Sequence, residues 1–406
     1  MSTLKVALVH DWLTGMRGGE KCLEVLCQAF PNATVHTLLH SPGRLSASIE
    51  RMRIRTSPLQ RIPGIERHYR HLLPLMPLAA RSWDVGDVDL VVSFSHCVAK
   101  SVRVPAGVPH VSYCFTPMRY AWDGRDSYMA SWVDRPVRRR VAGWMLDRLR
   151  AWDRRSASGV TQFVAISQTI RRRIASCYQR SSVVIPPPVD TEFYRPGPVD
   201  RGDFYLCVSA LVPYKRIDQA ILACSRLGRR LVVIGEGTER PGLQGLAGPG
   251  VEFLGWQPDE VIRDHYRRCR ALLFPGEEDF GIVPIEALAC GTPVLALGRG
   301  GVAETVDREV GRIHDEPTVE SLIASIRDWE REGRPCDASV ARSRAESFSS
   351  ERFRGRLLGY LTEVLNLREI DRVPPVPHLP VTPGAWVHSG RRGGRPDGYN
   401  ADAPSP

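Results

Sequence analysis

Two carboxylates eight positions apart, Glu278 and Glu286, bracket the segment Glu278-Asp-Phe-Gly-Ile-Val-Pro-Ile-Glu286. The apolar run Ala271 to Phe274 before it reads as a strand, and a helix is expected to begin near Val283, because Pro284 suits a first helical turn where its missing N–H has no partner to lose. The backbone N–H groups of Gly281, Ile282 and Val283 then face the strand's carboxyl end. Such a helix start attracts an anion such as a diphosphate, since unpaired donors and the positive end of the helix dipole coincide there. Glu286, expected in the first turn, is placed to accept two hydrogen bonds from a ribose diol, and Glu278 to reach further sugar hydroxyls. A carboxylate only accepts, and vicinal hydroxyls donate in pairs. Taken as an isolated pair, the two glutamates read equally well as a dipole complement and a surface charge.

The surroundings add weight. Leu211-Val-Pro-Tyr-Lys215-Arg216-Ile-Asp follows a strand and opens a helix, so Lys215 sits at a strand's carboxyl end, the edge on which open α/β sheets bind ligands. A cation there neutralises charge growing on a departing diphosphate. Gly235 and Gly237 end the next strand, and Gly300-Gly-Val-Ala-Glu304 follows a later one; glycine at a strand end lets backbone approach a ligand closely. No Gly-x-Gly-x-x-Gly or Gly-x-x-x-x-Gly-Lys-Ser/Thr motif occurs, which argues against dinucleotide and nucleoside triphosphate binding.

The elements that must position these residues are legible as β-rich runs alternating with helical stretches: Lys5 to Val9, Leu90 to Phe94, Val108 to Cys114, Phe163 to Ile166, Phe204 to Ser209, Leu231 to Ile234, Val251 to Leu254, Ala271 to Phe274 and Pro293 to Ala296. Continuous Val/Ile/Leu runs separated by helices mean parallel sheets covered on both faces, an α/β fold. At 406 residues the chain exceeds what one core usually fills. Three prolines at 186–188 mark a hinge, so residues 1–187 are expected to form one Rossmann-like domain and 194–349 a second. Residues 350–367 read as a last amphipathic helix, with Phe353, Leu357, Leu358, Leu361 and Leu365 at helical spacing, expected to pack back on the first domain. Residues 371–406, rich in Pro, Gly and Arg, are expected to be a disordered tail.

The composition narrows the setting. The start breaks its apolar run at His10 and Asp11 and has no signal-peptide cleavage pattern, and no run long enough to span a bilayer follows, so a cytoplasmic protein is expected. Ten cysteines without a Cys-x-x-Cys pair read as reduced thiols. The net charge of +10, mostly arginine, suits nucleic acid, an anionic membrane surface or phosphorylated substrates alike.

The order of Lys215, Gly235-Glu-Gly, Gly255-Trp256, Glu278 to Glu286 and Gly300-Gly-Val-Ala-Glu304 resembles the retaining glycosyltransferases of the GT-B fold, glycosyltransferase family 4 type, in which the carboxylate pair is the signature. The resemblance covers nearly all the chain before the tail. It implies two Rossmann-like domains facing across a cleft, with the nucleotide sugar on the second: Lys215 and Arg216 on the donor phosphates, Glu286 on ribose, Glu278 on the transferred sugar. The first domain resembles bacterial mannosyltransferases of O-antigen and related polysaccharide assembly through His10-Asp-Trp-Leu-Thr-Gly15, Gly18-Gly-Glu20, Ser95-His-Cys-Val-Ala-Lys100 and Tyr113 to Asp123. That implies a hexosyltransferase moving mannose from GDP-mannose to a glycan or polyprenyl-linked acceptor, with Gly18 and Gly19 approaching the diphosphate and His96 contacting the reacting sugars. His96 also reads as an ordinary hydrogen-bonded histidine at a strand end. Two departures stand out: Phe115 occupies a place where such enzymes usually carry histidine, and Ala210 one where many place an arginine beside Lys215, leaving Arg216 as its substitute.

No cofactor and no metal are expected. Asp87-Val-Asp89 begins a strand instead of following one, unlike the Asp-x-Asp of metal-dependent glycosyltransferases. Arg135 to Arg155, a helix holding eight arginines with Val137, Val141, Trp144 and Trp152, reads either as a solvated helix packed by its tryptophans or as a peripheral contact with an anionic membrane; nucleic acid lacks any accompanying motif. Two other functions fit the architecture: a nucleotide-sugar epimerase, which needs no acceptor, and a non-catalytic nucleotide-sugar-binding protein.

Overall fold

The computed structural model describes residues 4–122, 136–333 and 336–369. Strands Val6–His10 (β1), Thr34–Thr37 (β2), Arg53–Thr56 (β3), Leu90–Ser95 (β4), His110–Cys114 (β5), Gln162–Ala165 (β6) and Ser182–Val184 (β7) form one sheet in the order β3-β2-β1-β4-β5-β6-β7. Tyr205–Val208 (β8), Leu231–Ile234 (β9), Val251–Gly255 (β10), Leu272–Phe274 (β11), Val294–Leu297 (β12) and Gly311–His314 (β13) form a second, in the order β10-β9-β8-β11-β12-β13. Every pairing in both sheets is parallel. The central strands are buried along their whole length because helices cover both faces, so Val, Leu and Ala dominate them, with Ser93 and Ser95 buried at the end of β4.

In each sheet the strand order reverses next to the first strand, between β1 and β4 and between β8 and β11. The loops leaving those four strands therefore diverge and open a crevice, which is where open α/β sheets take ligands. The helices that matter for the site are Gly18–Ala29 (α1), Pro136–Ser156 (α2), Gln168–Tyr178 (α3), Ile217–Leu227 (α4), Asp259–Arg268 (α5), Ile282–Ala289 (α6) and Ser350–Glu369 (α7).

The chain passes between the sheets twice, and the two passages lie side by side: Val189 N–H donates to the Phe348 carbonyl at 2.9 Å, and Val189 bridges Ser349. Immediately afterwards α7 runs onto the first sheet, burying Phe353, Leu357 and Leu361. Phe353 meets Tyr113 of β5 edge-on, with ring centroids 5.7 Å apart. All ten cysteines are free thiols, nine of them buried. Among the described residues no helix is long and apolar enough to cross a membrane. The 371–406 tail and Arg135 fall outside the described residues.

Candidate functional site

Two helix starts meet head to head at the seam between the sheets. On the first domain α1 begins at Gly18, and on the second α6 begins after Gly281; neither start is capped by a side chain. Gly281 has φ +91°, a left-handed conformation that glycine adopts without the steric penalty a Cβ brings. A Cβ on Gly18 would run into the Ile282 side chain, so the two ends are nearly in contact. Uncapped N–H groups and two positive dipole ends converge there, an arrangement suited to an oxyanion. Pro284 falls in the first turn of α6, as its sequence position suggested, but Glu286 lies in the second turn, because the helix starts at Ile282.

Lys215 and Glu278 are brought together and form an ion pair, side chains largely buried. Lys215 ends a short turn, Pro213–Lys215, just before α4, and Gly276 packs directly on its backbone. A Cβ at Gly276 would lie 2.8 Å from the Lys215 Cα, so only glycine permits the two loops to approach this closely. Burial and the Arg119 guanidinium push the Lys215 ammonium down to about 8, against the pull of Asp279. Tyr214 completes this corner, with Arg119 5.5 Å and Lys215 5.2 Å from its ring centre.

Glu286 is buried and accepts from the Tyr266 hydroxyl at 3.1 Å and from Lys21 Nζ at 3.4 Å. Lys21 comes from α1, so this pair spans the two domains. Burial raises the Glu286 carboxyl above the usual carboxylate range, and the Lys21 ammonium opposes the shift.

The first-domain wall is built around Asp11. Its carboxylate takes the backbone N–H groups of His96, Cys97, Val98 and Ala99 at 2.7, 2.9, 2.6 and 2.7 Å and lies 3.1 Å from His96 Nδ1. The loop after β4 is thereby wrapped around one anion, and the His96 ring stands edge-on to Trp12 at 4.4 Å. Phe115 lies 6.3 Å from both His96 and His10 and touches the space beside Gly19. Burial lowers His10 to about 4, so its imidazole is neutral at physiological pH.

Some expected residues sit elsewhere. Arg216 adopts a left-handed φ of 52° and turns its guanidinium onto Asp218, with both contacts at 3.2 Å, instead of joining Lys215. Gly235 is pressed against the Ser209 backbone, a reason for glycine that requires no ligand. Asp87 and Asp89 pair with Lys5 at the amino ends of β1 and β4, opposite to the site. Lys21, Arg119, Arg173 and Asp279 belong to the seam but carry no sequence signal of their own, because their partners lie between 106 and 265 residues away.

Comparison with known proteins fits this geometry. Residues 16–193 match the model for Glycosyltransferase Family 4, and residues 189–346 that for Glycosyl transferases group 1. The GDP-mannose-dependent alpha-(1-6)-phosphatidylinositol monomannoside mannosyltransferase of Mycolicibacterium smegmatis is 32% identical over 219 residues, 46% of this chain and 57% of the relative. A D-inositol 3-phosphate glycosyltransferase of Acidothermus cellulolyticus is 33% identical over 180 residues, 36% and 40% of the two chains. The chain thus spans about half the length of these curated relatives. The structure of Anabaena HepE in complex with UDP is 17% identical, with a TM-score of 0.63 over 89% of this chain and 100% of that one. A Glycosyltransferase Family 4 domain before the crossing and a Glycosyl transferases group 1 domain after it together take up residues 16–346, folded as the two Rossmann-like sheets of the GT-B fold.

Proposed function

We propose that this glycosyltransferase moves a hexose, mannose from GDP-mannose being the first choice, from a nucleotide diphosphate sugar to a hydroxyl of a glycan or lipid-linked glycan, with retention at the anomeric carbon and in the service of polysaccharide assembly. The observation that carries the reading is the gathering of Lys215, Glu278 and two uncapped helix starts at one place on the seam. The name of the mycobacterial relative supports the choice of donor.

In this scheme the diphosphate lies between Gly18-Gly19 and Gly281 to Val283, with Lys215 on its outer oxygens. The bond from the anomeric carbon to the departing phosphate oxygen breaks, and the acceptor oxygen bonds to that carbon on the same face. The acceptor's proton passes to the departing phosphate. Helix dipoles and the ammonium supply the charge stabilisation, so the reaction proceeds without a metal. Glu278 orients the sugar and Glu286 the ribose, while His96, its Nδ1 fixed by Asp11, faces the acceptor side.

A thermal-shift panel of nucleotide sugars tests the donor: GDP-mannose at a hundred times its dissociation constant adds about 2.7 kcal/mol of stability. Stabilisation by UDP sugars alone overturns the GDP assignment. Glu286→Gln keeps side-chain size but leaves one acceptor oxygen where two hydroxyls donate, so nucleotide affinity falls by roughly tenfold, about 1.4 kcal/mol. Isothermal titration that finds it unchanged removes Glu286 from the ribose. Incubation of the donor with and without acceptor separates transfer from epimerisation, since an epimerase converts the free donor.

The surface of α2 supports an acceptor held at a membrane surface. Val137, Val141 and Trp144 are more than half exposed on one helical stripe, among exposed Arg139, Arg140 and Arg148. Arg150 Nε donates at 2.7 Å to the Ala121 carbonyl, tying the helix to the turn that carries Arg119 to the site. Exposed apolar rings among arginines suit the interface of an anionic bilayer. Co-sedimentation with vesicles containing phosphatidylglycerol is expected for the wild type and is expected to weaken with added salt or on Trp144→Ala. Equal binding to purely zwitterionic vesicles contradicts the placement.

A further inference from the structure

Two acidic residues of the second domain, Asp279 and Glu304, take no part in the transfer scheme, yet both are engaged by the first domain. Asp279 accepts Arg119 through both carboxylate oxygens, at 2.7 Å from Nη2 and 3.2 Å from Nε, and it also accepts the Arg173 guanidinium. Its backbone carbonyl takes the Ser167 hydroxyl at 2.6 Å. Glu304 reaches the start of α3, where Gln168 N, Thr169 N and Thr169 Oγ1 donate to its carboxylate at 2.8, 2.9 and 3.1 Å. That helix already has its own cap, Ser167 Oγ accepting from Ile170 N at 3.1 Å. A carboxylate from another domain therefore satisfies the remaining first-turn donors and complements the dipole there.

Both contacts converge on the loop that carries Glu278. Asp279 is its chain neighbour. On the other side, Gly301 N–H donates to the Glu278 carbonyl at 2.7 Å, and Gly300 forms a β-bridge with Glu278. Gly300 has φ +73° and a Cβ there would collide with that carbonyl, so the approach requires glycine. The turn that begins at Gly301 ends at Glu304. Glu278 is thus held between two segments, each fastened to the first domain, and Arg119, one of the fasteners, stacks on Tyr214 beside Lys215.

Resting on the transferase reading, we propose that Asp279 and Glu304 are positioning residues: they clasp the second domain onto Arg119, Arg173 and the start of α3, and this clasp sets Glu278 and Lys215 in register for transfer. Most of the nucleotide's partners, Glu286, Lys215 and the α6 start, belong to the second domain and stay assembled when the clasp is released, and only Gly18, Gly19 and Lys21 withdraw with the first domain. Releasing it therefore costs turnover far more than nucleotide affinity.

The test combines small-angle X-ray scattering, GDP titration and steady-state kinetics with GDP-mannose on the full chain. Asp279→Asn with Glu304→Gln preserves side-chain shape and the Ser167 bond, but places amide donors against arginine and backbone donors. The double variant is expected to scatter as a more extended particle, to lose at least about tenfold in kcat, and to bind GDP within about threefold of the wild type. Arg173→Gln removes one fastener from the opposite domain and is expected to act in the same direction, which keeps the test open should the double variant fail to fold. Scattering superimposable on the wild type overturns the clasp, and an extended particle with wild-type kcat overturns its positioning role. A wild type that binds nucleotide but turns over no donor overturns the transferase reading and positioning with it, while the scattering still decides the clasp.

Discussion

Lys215→Ala is expected to lower turnover by roughly 10²- to 10³-fold, the usual effect of removing one preorganised donor from a developing oxyanion. The argument begins from its surroundings. The side chain is largely buried, paired with Glu278 and close to Arg119, so little water is present to take over charge stabilisation when the ammonium is gone. In a site of low effective dielectric each fixed charge counts for more than it does in bulk water. Donor affinity is expected to fall less than turnover, because the two helix starts still hold the diphosphate even though Glu278 loses its partner. Single-turnover kinetics with saturating donor separates the two effects, and a variant with wild-type turnover removes Lys215 from the phosphates.

The same residue dictates a pH dependence. With the ammonium pushed down to about 8 in the donor-free protein, half of the sites are neutral at that pH. A bound diphosphate stabilises the charged form and raises the bound-state pKa, so binding takes up a proton above about 8, and affinity falls by up to about tenfold per pH unit there. Below that pH the group is already protonated and this contribution is flat. Nucleotide titrations between pH 6.5 and 9.5 in buffers of different ionisation enthalpy read both the slope and the proton uptake. A flat profile to pH 9.5 contradicts the assignment, and Lys215→Arg is expected to flatten it.

How much of this could be read beforehand depends on whether a signal is local. The central strands are announced by Val-Ala-Leu-Val or Leu-Val-Val-Ile because burial on both faces demands apolar residues throughout. The strands that the reading missed, β2, β3, β7 and β13, are short, and their Thr-Val-His-Thr, Arg-Ile-Arg-Thr, Ser-Val-Val and Gly-Arg-Ile-His offer no such run. Three of them, β3, β7 and β13, are sheet edges, where polar and charged side chains are tolerated on open faces. In the site, Lys215, Glu278 and the start of α6 were legible because each is marked by its own neighbours in sequence. Arg216 was misplaced because its direction depends on one left-handed residue, which side-chain type does not reveal. Asp11, Lys21, Asp279 and Arg173 gain their meaning only from partners distant in the sequence: the loop after β4 for Asp11, and the other domain for the rest.

Asp153 is the clearest such residue, and its removal is expected to cost the most stability. In the sequence it is one of two acids among the arginines of α2, with no motif around it. In the fold it is fully buried and accepts Lys100 Nζ, the Trp122 indole N–H at 2.8 Å and the Tyr178 hydroxyl at 2.8 Å. Lys100 is buried too, donates to the Cys97 carbonyl at 3.1 Å and lies 5.3 Å from the Tyr178 ring centre. Asp153→Ala strands an ammonium and two neutral donors in the core, and breaking a buried pair from one side typically costs about 3–5 kcal/mol. Against a domain stability of about 5–15 kcal/mol that is a large fraction. The loss also loosens what the network holds: the loop from Ser95 to Ser101 that presents His96, and Trp122, next to the turn that carries Arg119. Replacing both ends with apolar residues of similar volume, Lys100→Met with Asp153→Leu, removes the stranded charge and is expected to recover most of the stability, though the freed Trp122 and Tyr178 donors keep it below the wild type. Urea unfolding followed by tryptophan fluorescence reads all three proteins; an Asp153→Ala variant within about 1 kcal/mol of the wild type would show that the network is not what anchors α2.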